Sequence, residues 1–191
     1  MEYLYHGSGI KGITKLYANA KLHDTNQDVI YLTNNIPYSL FYIWDETHIG
    51  FRGKHITAWI KNGITYYEEQ FPEQLKTFYK GAAGYLYCIA KHSECFPVKE
   101  REGMFFSSVD TEVEKAIYIP DVYEELMRYE MIGKLKVLRY NDQTKQRQNE
   151  LTDIIAASII KRDFYKNNPP RAMFMKKYFQ KAWKKAEQQY Y

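Results

Sequence analysis

The period of the apolar residues changes once along this chain. Up to about Asn141 they come in short β-branched and aromatic runs, at 3–6, 29–33, 55–60, 64–68, 85–91, 104–108, 115–119 and 134–140. Such runs, bounded by Gly, Pro and Asn, read as strands. From 144 onward the spacing becomes helical. Leu151, Ile154, Ile155, Ser158, Ile159 and Arg162 trace one face, apolar over most of its length. Asn167-Asn168-Pro169-Pro170 interrupts it, and a second helix from Arg171 carries Met175, Phe179, Ala182, Trp183 and Ala186 on one stripe. Hairpins and short helices followed by a purely helical tail argue for an α+β fold, not a regular alternation of βα units. The expected organisation is a mixed domain over 1–141 and a C-terminal helical pair over 142–191, packed on it.

Local signals sharpen this. Asn62-Gly63 between two apolar runs is a hairpin turn. Asn34, Asn35 and Pro37 mark a helix start, with Leu40, Phe41 and Trp44 as its apolar stripe. Residues 72–80 read as a short helix beginning at Pro72. Asp121 caps and Gly133 stops a helix over 121–133.

Composition excludes several classes. Hydrophobic residues are 45% of the 191, which rules out a largely disordered chain. A net charge of +4 does not by itself demand nucleic acid. No apolar run approaches the roughly 18 residues that span a bilayer, so no membrane partner is expected. The N-terminus has no basic patch with a long apolar stretch behind it, and Cys88 and Cys95 are too few to staple a domain of this size. A cytoplasmic protein with reduced thiols is the expectation.

Two motifs overlap near the start. Gly7-Ser8-Gly9-Ile10-Lys11-Gly12 matches G-x-G-x-x-G after a strand, but no helical stripe follows and the second strand ends in Asn34-Asn35 instead of an acid. The other motif is Tyr5-His6-Gly7-Ser8. Here a histidine at a strand end stands beside a glycine that lets a ligand approach the main chain. Downstream, Tyr31 lies on a strand and Tyr42 eleven residues later, with Ser39 three before it.

This ordered set resembles the diphtheria-toxin and poly-ADP-ribose-polymerase branch of the ADP-ribosyltransferases, and looks like uncharacterised bacterial members of that superfamily. The resemblance covers about residues 3–140, with its motifs concentrated in 3–45. It implies a split mixed β-sheet core and NAD as co-substrate. His6 would hold the ribose, Gly7 and Ser39 would hold the carboxamide, Tyr31 and Tyr42 would stack the nicotinamide cation, and Ser8 would stand with them in the cofactor site. The reaction would transfer ADP-ribose to an unknown acceptor, whether protein, nucleic acid or small molecule. Its oxocarbenium-like transition state needs a carboxylate. Glu112-Val113-Glu114 resembles the Glu-x-Glu element of arginine-directed transferases, so Glu114 and Glu112 are the candidate acids, Glu114 the preferred one because it is nearer the strand.

Alternatives remain beside it. A binding module on the same fold would keep the pocket without a competent acid. A tRNA 2′-phosphotransferase would use phosphate-holding arginines such as Arg101 and Arg139, without the early histidine–arginine pairings of that family. The tail is basic: Lys161, Arg162, Lys166, Arg171, Lys176, Lys177, Lys181, Lys184 and Lys185 interleave with Tyr165, Phe174, Tyr178 and Trp183. That pattern suits a nucleic-acid backbone, or equally a helix whose lysines face water. Cys88, His92 and Cys95 lack a fourth metal ligand. His23, His48, His55 and His92 have no partners legible in the sequence.

Overall fold

The computed structural model describes residues 2–22 and 25–190, so His23 lies outside the described residues. Strand β1 (Tyr3–Ser8) is followed by two short extended pieces, β2 (Lys15–Leu16) and β3 (Ala20–Lys21), and then by β4 (Asp28–Thr33). Helix α1 (Ile36–Leu40) and the single turn α2 (Glu46–Ile49) lead to the hairpin of β5 (Ala58–Lys61) and β6 (Ile64–Glu68). Next come α3 (Gln74–Tyr79), β7 (Gly84–Ala90), β8 (Cys95–Pro97), β9 (Met104–Ser107), β10 (Thr111–Glu112) and β11 (Lys115–Ile119). Helix α4 (Val122–Met131) and β12 (Leu135–Leu138) close the mixed part. A 3-10 turn at Tyr140–Asp142 then opens the helical part: α5 (Lys145–Arg162), α6 (Phe164–Asn167), α7 (Pro169–Tyr178) and α8 (Gln180–Tyr190).

The fold is α+β. The main sheet is antiparallel, ordered β11-β7-β1-β4-β9-β8, with β3 alongside β4. A smaller mixed sheet, β12-β6-β5, joins β12 and β6 in parallel. A separate two-stranded ribbon pairs β2 with β10. The hairpin turn is as its residues require: Asn62 and Gly63 both adopt left-handed φ, 52° and 72°, directly between paired Lys61 and Ile64.

Successive side chains of a strand face opposite ways, and β7 uses both of its faces. Leu86 joins a large core with Phe41, Trp44, Phe78 and the helices, while Tyr87 and Ile89 join a smaller cluster with Leu4, Leu16 and Leu32. The C-terminal helices contribute directly to the large core. Phe174 stacks on Phe51 at 4.7 Å and approaches Trp44 at 6.5 Å, and Tyr178 meets Phe78 edge-on at 5.1 Å.

Two helices differ from the sequence expectation. Asn35 does cap α1, its side chain accepting from the Tyr38 N–H. The helix then stops at Leu40 and tightens into three-residue turns, the Tyr42 N–H donating to the Ser39 carbonyl at 3.1 Å and the Ile43 N–H to the Leu40 carbonyl at 3.0 Å, while Leu40, Phe41, Ile43 and Trp44 all stay buried. Trp44 donates its indole N–H to the Phe51 carbonyl at 2.9 Å. The single helix expected from Arg171 is divided at Phe179, whose φ and ψ are −115° and 49°. The break lets two adjacent rings, Tyr178 and Phe179, both reach Phe71, at 6.2 and 5.3 Å.

Candidate functional site

The main sheet is unevenly zipped around β1. On one side β1 pairs with β7 from Tyr3↔Ala90 to Ser8↔Tyr85. On the other it meets β4 at the single pair Tyr5↔Thr33. Helix α1 lies against the open stretch so closely that a Cβ at Gly7 would overlap the Ser39 carbonyl oxygen. The Gly7 requirement is therefore a helix-to-strand contact, a reason the sequence did not reveal.

Along this opening lies a cavity of about 610 Å³, within the roughly 300–1,000 Å³ typical of small-molecule sites. One wall is formed by β1, β4 and α1. The other is the segment 10–20, which includes β2. His6, Gly7, Ser8, Tyr31, Ser39 and Tyr42 all line it, so the structure gathers the six binding residues singled out from the sequence around one space.

Their detailed states differ. The half-buried His6 places Nδ1 3.2 Å from the Tyr31 carbonyl oxygen. A carbonyl can only accept, so Nδ1 carries the proton and Nε2 keeps a lone pair in the neutral ring. Burial lowers the His6 pKa, and the Lys54 charge acts in the same direction, which favours that neutral form. The Tyr31 hydroxyl donates to the Lys21 carbonyl at 3.1 Å, fixing its ring between β4 and β3. Tyr42 was expected on the helix and lies in the turn after it. Its ring is tilted 54° against Tyr38 at 5.9 Å, and burial pushes its phenol far above the usual range. Ser39 is 1% exposed and already donates to the Ile36 carbonyl at 2.6 Å, so towards a ligand its hydroxyl offers acceptance.

The two candidate acids sit apart from this group and from each other, and neither lines the cavity. Glu114 is exposed directly before β11, its N–H donating to the Cys88 carbonyl at 3.0 Å, and its carboxylate raises the pKa of the Tyr3 phenol. Glu112 is on the β2–β10 ribbon, opposite Lys15 in register, with its carboxylate 4.0 Å from the Lys15 ammonium. Lys15 does line the cavity. Of the two acids, Glu112 is thus the one carried on the ribbon that contributes to the wall.

Sequence reasoning missed the wall itself. Ile10, Thr14, Lys15, Leu16, Tyr17 and Asn19 line the cavity, as does buried Tyr38. The only signal was Thr14-Lys15-Leu16-Tyr17, a short alternation flanked by glycine and asparagine. This wall is tied down by Tyr87, whose hydroxyl donates to the Ile10 carbonyl and accepts from the Ile13 N–H.

Among the described lining residues the only side chain carrying a full charge is Lys15, and none is a carboxylate. Lys54 and Arg101 act electrostatically on His6 and Tyr42. The cavity is therefore suited to an anionic ligand with a flat aromatic part.

The other candidates fall elsewhere. Phe174 and Trp183 are core side chains, 3% and 4% exposed, and offer no face to a nucleic-acid base. Arg171 is committed to the Lys54 carbonyl and the His55 ring. The three described histidines of that set have partners: His48 bonds the Thr77 carbonyl, His55 bonds Gln70 and Arg171, and His92 bonds Thr111. Arg139 is held by Glu130 through both guanidinium nitrogens at 2.6 Å. Among the described residues no three metal-binding side chains gather, and no helix is long and apolar enough to cross a membrane. Compared with protein-family models, curated proteins and solved structures, the chain matches none.

Proposed function

We propose that the cavity binds NAD and that the protein transfers ADP-ribose from it to an acceptor. The observation that carries this reading is the meeting of His6, Gly7, Tyr31, Ser39 and Tyr42 around one cavity. Tyr31 and Tyr42 supply aromatic faces for the nicotinamide cation, which favour its charged form. The Nε2 lone pair of His6 accepts from a ribose hydroxyl. The Ser39 hydroxyl accepts from the carboxamide N–H. Lys15, Lys54 and Arg101 make the surroundings attractive to the pyrophosphate.

In the reaction the bond between ribose C1′ and the nicotinamide nitrogen breaks, and nicotinamide leaves with the electron pair. An acceptor nucleophile forms the new bond at C1′ and loses its proton. Glu112 is the acid this reading assigns to the developing positive charge, because it rides on the ribbon beside the cavity.

A second reading, binding without transfer, is favoured by the lack of a carboxylate among the described lining residues. Calorimetry with NAD, on wild type and His6→Ala, tests the binding common to both. Nicotinamide release from NAD then separates them. Saturable binding lost in His6→Ala supports the site, and absence of binding by folded wild type at millimolar NAD overturns it. Release that disappears in Glu112→Gln supports transfer, while binding with no release supports the second reading.

A further inference from the structure

Among the described residues, Lys15 is placed unlike any other cation. It stands at the start of β2, in the wall of the cavity, and is the only described lining residue with a full charge. Its ammonium is shared loosely among three neighbours. Asp110 is 3.7 Å away, Glu112 is 4.0 Å away, and the Tyr17 ring centroid is 5.6 Å away. None of these is a tight bond, and ion pairs this open to solvent are weak, about 0–1 kcal/mol. Asp110 also has a second role. It accepts from the Ala18 N–H at 3.0 Å, so it stays satisfied if Lys15 turns away. A flexible four-carbon stem carrying a compact charge is well suited to meet a phosphate.

We propose that Lys15 is the phosphate anchor of the cavity, and that the site takes a nucleoside diphosphate by exchanging the loose Asp110 and Glu112 contacts of this lysine for the ligand's phosphate oxygens. The inference rests on the NAD reading of the same cavity and adds what that reading leaves open: which group meets the pyrophosphate. It also fixes a requirement on the ligand. Molecules that keep the aromatic ring but lack the phosphates forgo this contact, and molecules that keep the phosphates but lack nicotinamide retain it.

The experiment is calorimetry on the full chain with three probes, NAD, ADP-ribose and nicotinamide, comparing wild type with Lys15→Gln and Lys15→Arg. The exposure of Lys15 makes both substitutions compatible with the fold, and equal melting temperatures check this. The expected result is a loss of about tenfold in affinity for both NAD and ADP-ribose in Lys15→Gln, the size of one charge-assisted hydrogen bond. Nicotinamide affinity stays unchanged, and Lys15→Arg recovers most of the loss. Wild-type binding of NAD and ADP-ribose that Lys15→Gln leaves intact overturns the anchor and spares the NAD reading. An equal loss for all three probes also overturns it, since the substitution then disturbs the cavity as a whole. Failure of wild type to bind any of the three overturns both.

Discussion

The imidazole Nδ1 of His6 and the carbonyl oxygen of Tyr31, 3.2 Å apart, join two strands whose backbones share only the pair Tyr5↔Thr33. A side chain thus does across this gap what main-chain bonds do elsewhere in the sheet. The same bond sets the tautomer of the ring and leaves Nε2 as an acceptor. His6→Ala therefore removes a cross-strand tie together with the proposed ligand contact. His6→Asn is the informative companion, because its amide retains a donor. NAD affinity measured by calorimetry should fall at least tenfold in His6→Ala, the cost of about one hydrogen bond to a polar ligand. A melting temperature lowered with no change in affinity would assign His6 to the sheet alone.

The two acids are separable. Glu112→Gln is expected to abolish nicotinamide release while leaving NAD affinity near that of wild type. Glu114→Gln is expected to leave both unchanged, because its carboxylate is exposed outside the cavity and off the ribbon that forms the wall. Release measured by chromatography decides between them. The reverse pattern would return the role to Glu114.

Gly7→Ala tests the contact between α1 and β1. The new methyl meets the Ser39 carbonyl, and neither the strand nor the helix backbone can yield cheaply. The expected loss is about 1–3 kcal/mol of stability by urea denaturation, accompanied by weaker NAD binding as α1 moves out. Unchanged stability would mean that α1 docks less closely than described.

Acid should destabilise the protein through His55. Burial pushes this histidine down to about 4, and neighbouring Arg171 adds to the effect against the bond His55 donates to the Gln70 amide oxygen. The unfolded chain then binds a proton that the folded one refuses. Its contribution is fully present above about pH 6.5 and is lost as pH falls towards about 4, a swing of about 3 kcal/mol. In His55→Gln the stability measured between pH 7 and 4 should fall less steeply. An identical slope in the variant would assign the acid sensitivity to other groups.

The C-terminal helices should not be dispensable. Phe174 touches Phe51, Phe78 and His55, so Phe174→Ala is expected to cost about 3–5 kcal/mol. Removal of 167–191 exposes that core and is expected to abolish the cooperative melting transition. A truncated chain that melts cooperatively and still binds NAD would show the tail to be an accessory.

Much of this architecture was legible in the residues. The strands at 3–6, 29–33, 85–91 and 115–119 announce themselves by β-branched and aromatic content, and Asn62-Gly63 announces its turn. One wall of the cavity was legible for a similar reason: His6, Tyr31, Ser39 and Tyr42 lie on or beside those strong elements. The opposite wall was not. Strands of two residues, such as β2 and β10, have no period to detect and exist only because each finds the other across the chain. The end of α1 at Leu40 and the break at Phe179 were also hidden. After Leu40 the chain tightens into three-residue turns, and at Phe179 the backbone leaves helical geometry so that Tyr178 and Phe179 both reach Phe71; neither change interrupts the apolar stripe that the sequence shows. The relative positions of Glu112 and Glu114 depend on that ribbon, so the sequence alone could not place either acid relative to the cavity.

Tyr87 does not line the cavity, yet its hydroxyl grips the outer wall at Ile10 and Ile13 while its backbone sits opposite His6 in the sheet. The two jaws of the cleft are therefore gauged from one residue. Substitutions near Tyr87 that tilt its ring, such as at its stacking partner Tyr85, will alter the gape of the cleft without altering its chemistry. Variation in ligand size among engineered forms of this protein would then be sought on β7, behind the site, as readily as within it.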